Sequence, residues 1–184
     1  MSKKDQILET ALSLFDTYNY STIGIDRIIE ESNVAKMTFY KYFPSKESLI
    51  YECLLFRSSS LKSKILLELE NQDQPLAQLK KIYDWHIDWF NSDDFCGCMF
   101  QKAMLDTFAK YPSVIEPIIE YRRWLHETIS IILEKMQIHN SSMSDIFIFI
   151  LDGMTMQNKV DNSTIDSHVH WEYILKIINF ELKE

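Results

Sequence analysis

Apolar residues recur at three- and four-residue intervals along most of the chain, the spacing that gathers them on one face of an α-helix. From Lys3 to Tyr18, the positions Ile7, Ala11, Leu14, Phe15 and Tyr18 share a face, while Lys4, Asp5, Glu9 and Asp16 lie mostly opposite. Asn19 follows the last periodic position; asparagine tolerates the left-handed backbone region, which predicts a helix end there. Ile25, Ile28 and Ile29 predict a short helix over Ile25–Glu31, and Phe39 with Phe43 a third over Lys36–Tyr42. Between them Ser32-Asn33-Val34-Ala35 reads as a tight turn with Asn33 where a positive φ is needed. Pro44-Ser45 closes this group, and Ser45 is placed to cap a long helix reaching about Glu70.

The rest continues in the same period. Helices are expected over Pro75–Asn91, Cys98–Lys110, Ser113–Gln137 with Pro117 in its first turn, Ser144–Lys159 and Ile165–Leu182. A polar Asp161-Asn162-Ser163-Thr164 loop separates the last two, and no internal repeat is visible. Only 3 glycines and 4 prolines in 184 residues are too few for the frequent turns of an all-β chain, and 46% hydrophobic residues argue against disorder. The pattern therefore predicts an all-α fold of about nine helices. It divides into a three-helix domain over 1–46 and a larger helical domain over 47–184.

Charge refines the picture. The net charge is −8, yet residues 1–46 carry six basic and six acidic side chains and are neutral. Lys36, Lys41 and Lys46 recur every five residues, with no acid between Glu31 and Glu47. Binding to phosphates follows local potential, so an acidic chain is not barred from nucleic acid. The longest apolar run, Ile146 to Leu151, is far short of the ~20 residues of a membrane span. No signal-peptide core follows Met1, so a cytoplasmic location with reduced cysteines is expected.

Two short helices joined by a four-residue turn have helix-turn-helix spacing. With Phe39 and Phe43 inward, the third helix turns Lys36, Met37, Thr38, Tyr40, Lys41 and Tyr42 outward. Tyrosines, lysines and a threonine make an unusual solvent face but a suitable major-groove face: ammoniums for phosphate or guanine, rings and methyls for thymine. The stretch from Thr22 to Leu49, above all Val34-Ala35-Lys36-Met37-Thr38-Phe39-Tyr40-Lys41-Tyr42-Phe43-Pro44-Ser45-Lys46, resembles the N-terminal domain of the TetR/AcrR family of transcriptional regulators. That resemblance implies a homodimeric repressor of double-stranded operator DNA, released by a small-molecule effector. It implies phosphate contacts for Thr22, Thr38 and Lys46, and packing of Tyr40 on the backbone or a thymine methyl. Lys36, Met37, Lys41 and Tyr42 fall where family members read bases or nearby phosphates. Asn19 and Asn33 stand where the family usually has glycine, and Tyr42 where it often has histidine.

The family resemblance also implies dimerisation through the last two helices. Independently, the segment 146–156 is apolar nearly all round, and the final helix adds further apolar residues. Phe147, Ile150, Leu151, Met154, Trp171, Ile174 and Ile178 are the expected interface. Between the ends lies an aromatic-rich middle, from which Trp85, His86, Trp89, Phe100, Met104, Phe108, Tyr121 and Trp124 are candidate walls of a pocket for an apolar or aromatic effector.

No phosphate loop, nucleophile elbow or metalloprotease helix is present, so no enzymatic activity, cofactor or metal is expected. His168 and His170 lie about 200° apart around a helix, wrong for one metal. Cys96-Gly97-Cys98 leaves open a thiol-based redox or electrophile sensor, with plain packing as the simpler account. An adaptor that binds protein through the N-terminal helices, or a regulator answering to a partner protein, are further alternatives.

Overall fold

The computed structural model describes residues 2–93, 95–107, 109–161 and 167–183. Among them are nine α-helices and no strand: α1 (Lys3–Thr17), α2 (Ile25–Glu31), α3 (Lys36–Tyr42), α4 (Lys46–Leu69), α5 (Pro75–Phe90), α6 (Met99–Thr107), α7 (Ile115–Lys135), α8 (Ser142–Asp161) and α9 (Ser167–Glu181). A short 3-10 turn, Pro112–Val114, precedes α7. The all-α expectation holds, and α2 and α3 have the bounds that the periodicity gave. From residue 162 onward the expected polar loop lies outside the described residues. No described helix is long and apolar enough to cross a membrane.

Two compact units emerge: Met1–Leu61 with Cys96–Tyr121, and Lys62–Phe95 with Arg122–Glu184. In the first, Ile7, Ala11 and Phe15 of α1 pack with Ile28 of α2 and Phe39 of α3, all fully buried. Ser2 caps α1 in a reciprocal box: its hydroxyl accepts the Asp5 N–H at 3.1 Å, and the Asp5 carboxylate accepts the Ser2 N–H at 2.9 Å. The Ser2 N–H, and after it the Ser2 hydroxyl, hold the exposed Asp5 carboxyl below its ordinary pKa. At α4, Ser45 and Ser48 exchange the same kind of bonds, at 3.0 and 3.1 Å, as expected for a cap at Ser45.

The end of α1 departs from expectation. Tyr18 leaves the helix in an extended conformation (φ −113°, ψ 167°), and Asn19 does not have a positive φ; among the described non-glycine residues, only Asn33, Asn71 and Gln137 do. A left-handed residue normally turns backbone N–H groups onto the last helical carbonyls. Here the Lys102 ammonium of α6 does that work, donating to the carbonyls of Phe15 at 2.8 Å and Asp16 at 2.7 Å. The helix end is satisfied from a distant part of the chain, so no local left-handed residue is required.

The second unit is built on Leu79, Ile82, Tyr83, Ile87 and Phe90 of α5, Leu125, Ile129 and Ile132 of α7, and buried residues of α8 and α9. Tyr83 and Trp171 pack with ring centroids 5.2 Å apart, and Arg122 pairs with Asp152 at 2.7 Å. Helix α7 stops at a left-handed Gln137, where the Ile138 N–H reaches the Leu133 carbonyl (3.0 Å) and the Gln137 N–H reaches that of Glu134 (2.9 Å).

Because Phe39 is fully buried while neighbouring Tyr40 is 42% exposed, α3 has one structural side. Phe39→Ala should lower the unfolding free energy by about 3–5 kcal/mol in a urea titration; a loss below about 1 kcal/mol would mean that the ring is not packed.

Candidate nucleic-acid interface

The turn before α3 is set by one residue. Asn33 sits at φ 50°, its N–H bonded to the Glu30 carbonyl (3.0 Å), while the Val34 N–H reaches the Ile29 carbonyl (3.3 Å). These paired bonds end α2 and reverse the chain, as expected for an asparagine that enters the left-handed region at small cost. Ala35 is extended, and its carbonyl accepts the N–H groups of Thr38 (2.8 Å) and Phe39 (3.1 Å), opening α3. Phe43 is buried on the same side as Phe39, with the Lys4 ammonium of α1 5.9 Å from its ring centroid.

The opposite side of α3 faces solvent. Met37 is 84% exposed and Tyr42 37%; Lys36 and Lys41 are exposed and Thr38 half-buried. Met37, Thr38, Tyr40 and Lys41 line an open depression of ≈ 530 Å³. The Tyr40 ring stands edge-on to Phe39 (centroids 5.3 Å, 83° between planes), which ties an exposed ring to the core. Lys41 lies 5.8 Å from the centroid of the Tyr42 ring. Lys36 makes an exposed ion pair with Asp26 at 3.1 Å, which raises its pKa and keeps the ammonium charged. Six of the eight residues expected to touch DNA thus lie together on one helix.

The other two stand at its margins. Thr22 is exposed, with its hydroxyl donating to the Asn19 carbonyl at 2.8 Å. Lys46 is half-buried and its ammonium donates to the Tyr20 carbonyl; burial, first of all, lowers its pKa. Lys46 therefore braces the α1–α2 junction as well as standing at the head of α4.

Sequence reasoning missed the residues that brace this junction from afar. The Tyr20 hydroxyl donates to the Met99 carbonyl at 3.2 Å, and the Ser21 N–H donates to Asp106 at 2.6 Å. Arg57 of α4 pairs with Asp16 at 3.1 Å and donates from Nε to the Met99 sulfur at 3.1 Å. With Lys102, these place positions 99, 102 and 106 of α6 against the end of α1. Their i, i+3, i+7 spacing was legible, but their partners at the end of α1 lie more than 75 residues away.

The effector candidates fall in both units. In the first, Phe100 stacks on Tyr121 (4.6 Å, 10° between planes), both are buried, and Met104 is 47% exposed. In the second, Trp85, His86 and Trp89 form a ring cluster with Phe90 and Phe95, and Lys62 lies 5.5 Å from the Trp124 ring centroid. Phe108 lies outside the described residues. His86 is buried and its Nδ1 lies 2.7 Å from the Ile82 carbonyl. Burial drives its pKa down to about 4, although the Ile82 bond and Asp152 oppose that shift.

The residues expected between subunits occupy other positions than foreseen. Phe147, Leu151, Met154, Trp171, Ile174 and Ile178 fill this chain's own core, with Ile150 packed against it. The alternation on these helices runs opposite to the expected facing, because the interior of a single chain claims those side chains first. Left outside are Ile146, Phe149 and Met156 on α8 and Tyr173 and Phe180 on α9, with Phe149, Tyr173 and Phe180 59–64% exposed. Among the described residues, no group of three or more His, Cys, Asp or Glu side chains is placed to hold a metal ion.

Residues 7–53 match the family model described as bacterial regulatory proteins, tetR family. An uncharacterised HTH-type transcriptional regulator of Bacillus subtilis, YuxN, is 34% identical over 79 residues, which are 43% of this chain and 27% of that protein. The matches to the curated relatives span between 27% and 55% of their lengths. Among solved structures, the TetR-family regulator SCO4454 of Streptomyces coelicolor superposes with a TM-score of 0.79 at 22% identity, over 98% of this chain and 94% of that one. A cysteine mutant of the TetR-family regulator CifR, complexed with double-strand operator DNA, superposes with a TM-score of 0.74 at 18% identity, over 97% and 95%.

The buried His86 gives the second unit a pH signature. Its unfolded value near 6.5 exceeds the folded value of about 4, so the unfolded chain takes up the proton first as pH falls. Its contribution is full above pH 6.5 and is lost as pH falls toward 4, by up to about 3 kcal/mol. Urea titrations from pH 7 to 4 should show the decline, and His86→Leu should flatten it; equal slopes in both proteins would place the proton uptake elsewhere.

Proposed function

We propose, for a chain whose residues 7–53 match the family model of bacterial regulatory proteins, tetR family, that it is a member of that family, that α3 reads the major groove of a palindromic operator and that the protein represses transcription until a small apolar or aromatic ligand releases it. DNA binding, control of transcription, operator symmetry, repression and release by ligand are together our reading. In that reading residues 1–46 are the reading head, and residues 47–184 bind the effector and dimerise. A reader of chromosomal DNA works in the cytoplasm.

One observation carries the proposal: α3 buries Phe39 and Phe43 and leaves Met37, Tyr40, Lys41 and Tyr42 exposed on a seven-residue helix. Exposed aromatic and thioether groups beside ammoniums suit base edges and phosphates together. Thr22 and Lys46 flank that face and supply phosphate contacts that fix its register.

Two heads are supplied by two copies of the chain. Ile146, Phe149, Gly153 and Met156 fall on one stripe of α8 at i, i+3, i+7 and i+10. In the single chain this stripe is open, with no atom within 4 Å of a methyl placed on Gly153. Apolar area of this kind marks a contact between molecules. A two-fold pair of heads requires a two-fold DNA site. A ligand that prefers the conformer with wrongly spaced heads lowers DNA affinity by its preference between conformers.

Selection from a random pool of duplex DNA tests the reading and should return an inverted repeat. Tyr40→Ala should weaken binding to the selected site by about 1–3 kcal/mol without lowering the melting temperature. Recovery of no enriched sequence would overturn the proposal. Phe149→Asp should convert a dimer to a monomer in sedimentation equilibrium; an unchanged mass would remove α8 from the interface.

A further inference from the structure

The three cysteines differ in burial. Cys53 is fully buried, and burial pushes its thiol well above the ordinary range. Cys96 and Cys98 are half-buried thiols on the non-helical stretch that leads into α6. Gly97 between them has φ 94°, a conformation that side chains rarely adopt. Two residues of chain span at most about 7 Å, close to the α-carbon separation that a disulfide bridges.

The position of this pair matters more than its exposure. The Cys98 carbonyl accepts the Lys102 N–H at 3.0 Å, so Cys98 is the residue from which α6 begins at Met99. Arg57 of α4 touches the very next residue through the Met99 sulfur. From that start α6 carries the Met99 carbonyl bonded to Tyr20, the Lys102 ammonium on Phe15 and Asp16, and the Asp106 carboxylate on Ser21. A change of backbone at 96–98 is therefore a change at the root of the helix that braces the reading head.

We propose that Cys96 and Cys98 form a reversible dithiol switch, oxidised by a peroxide, whose disulfide loosens the junction between α1 and α2 and so weakens DNA binding. The Cys98 thiolate attacks one peroxide oxygen: a sulfur–oxygen bond forms, the O–O bond breaks, and the departing oxygen leaves as water after protonation. The Cys96 thiol then attacks the sulfenic sulfur, forming the S–S bond and releasing a second water. Both thiols are oxidised, peroxide is reduced, and a thiol reductant reverses the change. The small ring so formed strains the start of α6 and pulls Met99 away from the Tyr20 hydroxyl. This rests on the DNA-binding reading above only for its last step.

The test uses the full chain with hydrogen peroxide and then dithiothreitol. Peptide mass mapping should show a reversible Cys96–Cys98 disulfide, and hydrogen exchange over residues 15–22 should quicken on oxidation. Affinity for the selected DNA should fall about tenfold, a usual size for coupling between linked sites, and recover on reduction. Cys96→Ser and Cys98→Ser, each with an unchanged melt, should be insensitive in all three measurements. Absence of the disulfide, or a disulfide that leaves exchange over 15–22 unchanged, overturns the proposal. Oxidation that quickens exchange but leaves DNA affinity intact also overturns it. Failure of the reduced protein to bind any selected DNA would instead count against the regulator reading, while exchange would still decide whether the switch moves the junction.

Discussion

Phe39 and Phe43 hold α3 where it is. Seven residues make about two turns, and the helix has no side-chain cap of its own, so it has little stability in isolation. Burial of two phenyl rings anchors it against α1 and α2, and each ring contributes on the order of 2–3 kcal/mol. Since the anchors lie four residues apart, they occupy one side of the helix, and every other side chain is turned away. The face that we propose meets DNA is thus a by-product of where the core claims its rings. Asn33 completes the constraint by reversing the chain in a single left-handed residue.

A small head also needs its attitude fixed relative to what lies behind it. That comes from α6, whose residues 99, 102 and 106 satisfy groups at the end of α1 that its own sequence leaves unsatisfied. The contacts are polar and few, made to two backbone carbonyls, one N–H and the Tyr20 hydroxyl. A shift of an ångström in α6 would break several hydrogen bonds together, whereas an apolar contact would slide. Such a joint transmits displacement from α6 to the end of α1.

Most of the helical plan was legible because periodicity is local. The bounds of α2 and α3, the role of Asn33, the inward Phe39 and Phe43 and the cap at Ser45 all follow from residues within one or two turns of each other. Asn19 misled for an instructive reason: a local rule for ending helices was overridden by Lys102, 83 positions along the chain. On α8 and α9, apolar residues cover nearly the whole circumference, so the sequence carries no sign of which face turns inward; packing against Tyr83 and its neighbours decides it. Positions of α6 that grip the head look like ordinary amphipathic surface until their partners are known.

In the proposed complex with duplex DNA, the engagement of Lys46 with the Tyr20 carbonyl bears on how ions are counted. A lysine that waits in water trades a hydration shell and loosely held anions for a phosphate, and the duplex sheds condensed cations in return. Lys46 has surrendered part of its hydration beforehand, to the protein's own backbone. An approaching phosphate must compete with that carbonyl, so this ammonium offers orientation at the expense of raw attraction. Counterion stoichiometry measured for the complex would then understate the number of cationic groups at the interface.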